Sequence, residues 1–407
     1  MRRVFLTLNA GSSSLKFAVF DSDNSSTTPL TKGTIAGIGG TPVFSARDTA
    51  GGALDAGAMT ALDVASDHET VIALLLPWLA NHFGGLPLLA VGHRVVHGGQ
   101  HYRDPTLISP SVLQYLDALV PLAPLHQPHN IAAIRAVSKW RPDIPQIACF
   151  DTGFHRSQNH LAQLFALPRD LTDEGVIRYG FHGLSYDYIA SILPSHLGDR
   201  ASGRVIVAHL GNGSSMCAMK DRKSVATTMG FTALDGLMMG RRCGALDPGV
   251  VLYLMQAKGM AAPDIETLLY KHSGLLGVSG MTNDMQVLQD SDNPHAQEAI
   301  ALFCYRAASS LAGLLPAIGG LDALVFTAGI GENSAPIRKA ICDHLGWLGV
   351  TLDDAANDKN VTRISAAHSQ VGVFALPTNE ETVVADACRG LLSRPLTAPR
   401  PATSRKM

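Results

Sequence analysis

Apolar and polar positions fall in blocks along this chain, and one arrangement of blocks occurs twice. Val4–Leu8 is an apolar run, Asn9-Ala10-Gly11-Ser12-Ser13-Ser14 interrupts it, and Leu15–Phe20 is apolar again. That pattern predicts strand, tight turn, strand. Arg204–Lys220 repeats it, an apolar run entering Gly211-Asn212-Gly213-Ser214-Ser215 and leaving as a second apolar run. Two such units half a chain apart predict a duplicated fold whose halves serve one ligand. Short apolar runs predict further strands at Leu88–Gly92, Gln146–Phe150, Leu321–Thr327 and Val371–Leu376, with short strands and loops over Thr31–Ala65. Helical spacing predicts helices at Ser66–Phe83, Asn130–Trp140, Ser185–Leu193 and Pro248–Ala257, and from Ser109-Pro110 to about Val120. The longest predicted helix, Pro294–Ile318, has Ile300, Phe303, Ala307, Leu311 and Leu314 as its inward stripe, and a last helix runs to about Leu392. Between them lie a polar turn at Ser22–Thr28, a proline-punctuated loop at Pro121–Pro128, a Gly- and Met-rich loop at Thr227–Asp247, and a frayed tail at Ser393–Met407.

Composition narrows the class. The 407 residues, 46% hydrophobic and 16% charged, suit two globular domains with substantial cores. A net charge of −2 without a basic stripe argues against a nucleic-acid partner. Six cysteines without a CxxC spacing read as buried thiols of a reducing cytoplasm. The run after Arg2-Arg3 is too short for a signal-peptide core, and no stretch is expected to reach the length of a membrane span.

The candidate chemistry sits where strands end. Gly11 lets the backbone come close to a ligand, Ser12, Ser13 and Ser14 add hydroxyl donors, and Lys16 adds a positive charge. Such a turn suits phosphate oxygens, and Asn9 could reach a metal ion held by them. No GxxxxGK[ST] occurs, so the phosphates are expected on hairpin turns and not on a strand-to-helix loop. Arg94, Asp151, the 211–215 turn, the 329–333 turn and Glu380 each follow a predicted strand. Ligands of α/β sheets bind beyond strand ends. His93, His97 and His101 have fourfold spacing but no Glu or Cys partner, which favours core histidines over a metal site. Arg241 reads as a solvated neighbour of Arg242, and Asp235 and Asp247 as loop caps.

With these residues in place, the chain resembles the acetate kinase family. The motifs LTLNAGSSSLKF, GHRVVHGG, PLAPLHQPHN, FDTGFH, RYGFHGLSY, HLGNGSS, GFTALDGLMMGRRCGALDPG, FTAGIGENS and PTNEE stand in that family's order over nearly the whole length. The resemblance implies an α/β fold of two duplicated ribonuclease-H-like domains around a central nucleotide cleft, as in sugar kinases, actin and heat-shock ATPases. It implies one domain from residues 1–151 plus 383–407 and another from 152–382. It implies transfer of the ATP γ-phosphoryl group to acetate, or to another short-chain carboxylate, with ATP/ADP and Mg2+ (or Mn2+), in a cytoplasmic homodimer. By resemblance, Arg94 and Arg242 hold the carboxylate and the moving phosphoryl group, His182 stabilises its oxygens, and Asp151 is the active-site acid. Asn9 and Glu380 match the metal positions. Ser12, Ser14 and Lys16 lie on the phosphates. His209, Leu210, Gly211, Asn212 and Gly213, and Gly329, Ile330, Gly331, Glu332 and Asn333, match the nucleotide turns. Val96, Leu125, His126, Phe181 and Ala233 are placed at the substrate; His126 fits either a structural role or that of a donor.

A carboxylate is already an anion at neutral pH, so the reaction needs positive charge and positioning but no base. Asp151 is therefore expected to place Mg2+ or Arg94. Two departures stand out. The family's Asp-x-Arg on the nucleotide loop is Asp284-Met285-Gln286 here, and its proline before Leu234 is Ala233. A sugar kinase would need an acidic base beside a polar pocket, against which Val96, Leu125 and Phe181 argue. A heat-shock-type clamp would need a peptide-binding domain for which no residues remain.

Overall fold

The computed structural model describes residues 3–23, 28–85 and 87–393. Most of the expected frayed tail, residues 394–407, and positions 24–27 of the expected polar turn lie outside the described residues. The chain folds as two units. One comprises Met1–Val96, Asp104–Phe150 and Glu381–Met407, and the other His97–Arg103 and Asp151–Glu380.

The first unit is built on a seven-stranded sheet ordered β4-β3-β2-β1-β5-β7-β6. Its strands are β1 Val4–Ala10, β2 Ser14–Asp21, β3 Thr31–Ala36, β4 Val43–Asp48, β5 Leu88–Val95, β6 Thr106–Leu107 and β7 Gln146–Phe150. The first four pair antiparallel, and β5 and β7 extend the sheet parallel to β1. The second unit has a five-stranded sheet ordered β10-β9-β8-β11-β12. Its strands are β8 Val205–Leu210, β9 Ser214–Lys220, β10 Lys223–Thr227, β11 Ala323–Thr327 and β12 Gly372–Ala375. Both sheets contain the same five-strand core, three antiparallel strands followed by two parallel ones. The duplication expected from the two hairpins is therefore a duplication of whole sheets.

Alternation of side chains along β8 shows how the second sheet is filled on both faces. Ile206, Ala208 and Leu210 pack with Phe303, Ala307 and Leu311 of the Pro294–Ile318 helix, while Val205 and Val207 pack with Ile189 and Leu193 of the Gly183–Leu197 helix. The long helix is fixed at both ends. Asn293 accepts from the His295 amide, and Gly319 ends it in the left-handed region. By length and composition that helix could cross a membrane, which corrects the expectation that no stretch is long enough. Its apolar stripe is occupied by the core of this unit.

Three local readings also change. β5 runs on to Val95, so Arg94 lies inside the strand and not after it. The proline-punctuated loop ends early because Pro128 sits in the first turn of a helix, Gln127–Trp140, with His126 as its cap residue. Residues Ala328–Asn333 form a short helix directly after β11, so this expected turn is a strand-to-helix junction.

Candidate active site

Each unit carries its own group of the expected residues. In the first, the turn after β1 closes by a bond from the Gly11 amide to the Ser14 carbonyl at 2.8 Å. Ser12 and Lys16 are exposed and Ser14 is half-buried. Lys16 stands opposite Asn9 across the antiparallel pair, so the two side chains share a face. Arg94 joins them: its Nη1 donates to Asn9 Oδ1 at 3.0 Å. Asn130 locks this corner from behind. Its Nδ2 donates to the Ala10 carbonyl at 2.7 Å and its Oδ1 accepts from the Val96 amide at 2.9 Å, tying the ends of β1 and β5 together. Val96 is buried, and Leu125 and His126 are half-buried.

The second unit brings His182, His209, Arg242 and the 211–213 turn together. His182 caps the Gly183–Leu197 helix from the left-handed region, with φ 58° and ψ 25°. A Cβ on Gly213 would lie 3.2 Å from His182 Nε2 and 3.4 Å from Arg242 Nη2, so the imidazole and the guanidinium reach the same point of the turn. Arg242 is steadied by a bond from its Nη1 to the Ala233 carbonyl at 2.7 Å. The His182 ring stacks on His209 with centroids 4.1 Å apart. Its Nδ1 meets Ser215 Oγ at 2.8 Å, and Ser215 meets the Tyr186 hydroxyl at 2.5 Å. Burial pushes the Tyr186 phenol well above its usual pKa, so it keeps its proton. Ser215 thus links the Tyr186 hydroxyl to Nδ1 of His182, and the other ring nitrogen, Nε2, is the one that faces Gly213. His209 Nδ1 bonds Ser185 Oγ at 2.8 Å, and Ser185 donates on to Thr378.

Asp151 is buried, and its carbonyl accepts from the Gly183 amide at 2.8 Å. A Cβ on residue 183 would stand 2.1 Å from that carbonyl oxygen, so glycine is required there. Phe181 is buried and Ala233 half-buried. In the hairpin turn, Ser214 Oγ donates to the Gly211 carbonyl, and the Asn212 carbonyl accepts from the Gly240 amide. Leu210 is a core side chain and can offer a ligand only its backbone.

Several expected nucleotide residues are engaged in holding the backbone. Glu332 accepts from the amides of Ala328 at 2.8 Å and Thr378 at 2.9 Å. Asn333 Nδ2 donates to the Gly329 carbonyl. Gly329 is exposed, Ile330 half-buried and Gly331 buried. Asp284 caps a short helix, Met285–Gln289, and Gln286 bonds Asp290. Met285 is packed into the core, so, like Leu210, it can offer a ligand only its backbone. Asp247 caps the Pro248–Gln256 helix as expected, whereas Asp235 pairs with Arg178 at 3.0 Å. Glu380 opens the Glu380–Leu392 helix.

Sequence reasoning missed three buried polar supports. Asn130 closes the motif PLAPLHQPHN and His155 closes FDTGFH, so both stood within sight. Arg338 has no motif. Its signal is a charge on the apolar stripe of the Ala335–Asp343 helix, between Ile337 and Ile341. All five of its N–H donors are used, on the carbonyls of Gly331, Glu332 and Asn357 and the side-chain oxygens of Asn357 and Asn360.

The donors fit the ligands that the resemblance implies. An amide oxygen, as on Asn9, and a carboxylate, as on Glu380, are each hard ligands of the kind that suits Mg2+. Among the described residues no cluster of three His, Cys, Asp or Glu side chains could hold a metal, and Mg2+ commonly takes its other ligands from phosphate and water.

The chain resembles known proteins over almost its full length. A model described as the acetokinase family matches residues 4–386. An acetate kinase of Rhodopseudomonas palustris is 53% identical over 390 residues, covering 95% of this chain and 97% of that protein. A solved propionate kinase from Francisella tularensis superposes with a TM-score of 0.87 at 36% identity, covering 95% of this chain and 98% of that one. Porphyromonas gingivalis acetate kinase superposes at 0.84 with 34% identity, covering 96% and 100%. The chain therefore belongs to the acetokinase family.

Proposed function

We propose that this chain catalyses reversible transfer of the γ-phosphoryl group of ATP to acetate, giving acetyl phosphate and ADP. The observation that carries the reading is the convergence of His182 Nε2 and Arg242 Nη2 on the Gly213 turn. An imidazole nitrogen and a guanidinium side by side at a glycine turn suit the oxygens of a phosphoryl group in flight. An acetate oxygen attacks phosphorus in line, the bond to the ADP oxygen breaks, and no proton moves. Asp151 acts by position and not as a base. Arg94, held by Asn9, and Arg242, held by the Ala233 carbonyl, offset the charge of two anions brought together. Asn9 and Glu380 are the residues that would hold Mg2+, which when bound neutralises phosphate charge. The turns 209–213 and 329–333, with Ser12, Ser14 and Lys16, hold ATP or ADP; Asp284 and Gln286 border the nucleotide.

Propionate is the near alternative acceptor. Val96, Leu125, Phe181 and Ala233 are proposed to meet the acyl chain, with His126 as a donor, and an apolar wall discriminates one methylene by only about 10–200-fold. Ala233 in place of proline favours a roomier wall. Initial rates with acetate, propionate, butyrate and glucose test the reading. Turnover of the short acids without glucose supports it, and turnover of glucose alone overturns it.

The enzyme is further proposed to work in the cytoplasm, supported by six free thiols, and as a homodimer. The Pro248–Gln256 helix buries none of its residues, leaving Leu252 and Tyr253 about half exposed, which suits a self-complementary face. Leu252→Glu should then give a monomer in sedimentation; an unchanged dimer removes this helix from the interface.

A further inference from the structure

His182 holds a backbone conformation that costs any residue with a side chain. It persists because both flanking peptides are pinned. The Gly183 amide donates to the Asp151 carbonyl at 2.8 Å, and the Phe181 carbonyl accepts from His155 Nε2 at 2.8 Å. His155 lies behind the site and is itself fully fixed. Its Nδ1 meets Ser224 Oγ at 2.9 Å, and Ser224 also accepts from Gln158 Nε2 at 2.9 Å and lies 3.3 Å from the Cys217 thiol. The balance of protons has one solution. Phe181 offers only lone pairs, so Nε2 carries the imidazole proton; Nδ1 then accepts the single Ser224 hydroxyl proton, and Ser224 accepts from its other two neighbours. Gly180 has no Cβ where the ring lies, since one would come within 2.6 Å of it.

We propose that His155 is a positioning residue for phosphoryl transfer, holding the left-handed conformation that aims His182 Nε2 at the Gly213 turn. This rests on the kinase reading above. His155 does not touch the reacting atoms. Burial pushes its imidazole down to about 4, so it works as a neutral donor throughout the physiological range. No other donor to the Phe181 carbonyl occurs among the described residues.

The test compares His155→Asn, His155→Gln and Ser224→Ala in the full chain. A glutamine amide nitrogen reaches the level of Nε2, whereas an asparagine amide stops at the level of Nδ1. His155→Asn should lower kcat by about 10²-fold, the cost of a catalytic group displaced by about 1 Å, with KM for ATP and acetate little changed. His155→Gln should restore most of the loss. Ser224→Ala, which keeps the ring but removes the proton that fixes the tautomer, should lower kcat severalfold. Wild-type kcat per folded molecule in His155→Asn, or a His155→Gln as impaired as His155→Asn, overturns the proposal. Should His155→Asn not fold, an unchanged kcat in Ser224→Ala overturns it. If the wild-type chain makes no acyl phosphate, the kinase reading falls on its own. The positioning claim is then decided by the crystal structure of His155→Asn. Loss of the left-handed conformation at 182 supports it, and φ still near 58° with Nε2 in place refutes it.

Discussion

Replacing Arg338 by methionine removes five hydrogen-bond donors from the interior of the second unit without changing the bulk greatly. The guanidinium is fully buried, and no carboxylate is among its hydrogen-bond partners. Burial lowers its pKa from the usual arginine value, but not enough to discharge it at neutral pH. Its forked donors fit diverging carbonyls, those at the end of the Ala328–Asn333 helix and those of Asn357 and Asn360. In the variant the Asn360 side chain, on an exposed residue, can turn to water. The carbonyls of Gly331, Glu332 and Asn357 and the Asn357 side chain lose their partner, each unmet acceptor costing about 1–3 kcal/mol. Relief of the buried charge and burial of the methionine offset part of this. The net destabilisation should be about 3–5 kcal/mol. At about 2–4 °C per kcal/mol for a unit of this size, Tm should fall by about 6–20 °C. Arg338→Lys keeps charge but cannot fork, so it should fall between. Calorimetric melting with and without ADP is the assay, and ADP should bind the variant more weakly because the 329–333 segment loses its support. A methionine variant within about 1 kcal/mol of wild type would refute the argument.

Arg94→Ala and Arg242→Ala should each lower kcat by at least about 10²-fold, as loss of a transition-state charge partner does; wild-type turnover in either removes that arginine from the chemistry. Ala233→Pro keeps the carbonyl that holds Arg242 but stiffens the wall, and should shift kcat/KM from propionate toward acetate; an unchanged ratio means that residue 233 does not meet the acyl chain. Stability should fall with acid. His93, His97 and His155 are each lowered from 6.5 to about 4, chiefly by burial, so the unfolded chain takes up their protons first. Their contribution is complete above pH 6.5 and is lost as pH falls toward 4, with a slope of up to about 4 kcal/mol per pH unit for three protons. Urea midpoints that stay flat over that range would contradict it.

The two hairpins and the long helix were legible because their signals are local. An apolar run broken by glycine and serine can only turn, and Asn293-Pro294 and Gly319 mark a helix at both ends. The two-unit, duplicated architecture followed from the hairpin repeat. What was illegible depended on distant partners. Ala328–Asn333 reads as a glycine turn, yet it is helical, with the Glu332 carboxylate tying its start to Thr378 and Arg338 holding its end. Pro124 and Pro128 read as one loop, although Pro128 opens a helix. Met285 lies in a polar stretch, and only the packing of the Pro294–Ile318 helix makes it core. Asp235 reads as a loop cap, and its Oδ1 does accept from the Gly236 amide, but its ion-pair partner, Arg178, is far away in sequence.

In γ-phosphoryl transfer an acetate oxygen becomes bonded to the γ-phosphorus of ATP, and ADP is the leaving group. Supplying ATP, Mg2+ and acetate labelled with 18O in both oxygens tests it, with the products followed by 31P NMR and nucleotide analysis. Such transfer predicts ADP and acetyl phosphate bearing 18O in the oxygen that bridges carbon and phosphorus, seen as an isotope shift of its phosphorus resonance. AMP and pyrophosphate, or acetyl phosphate whose phosphorus carries no label, would contradict it.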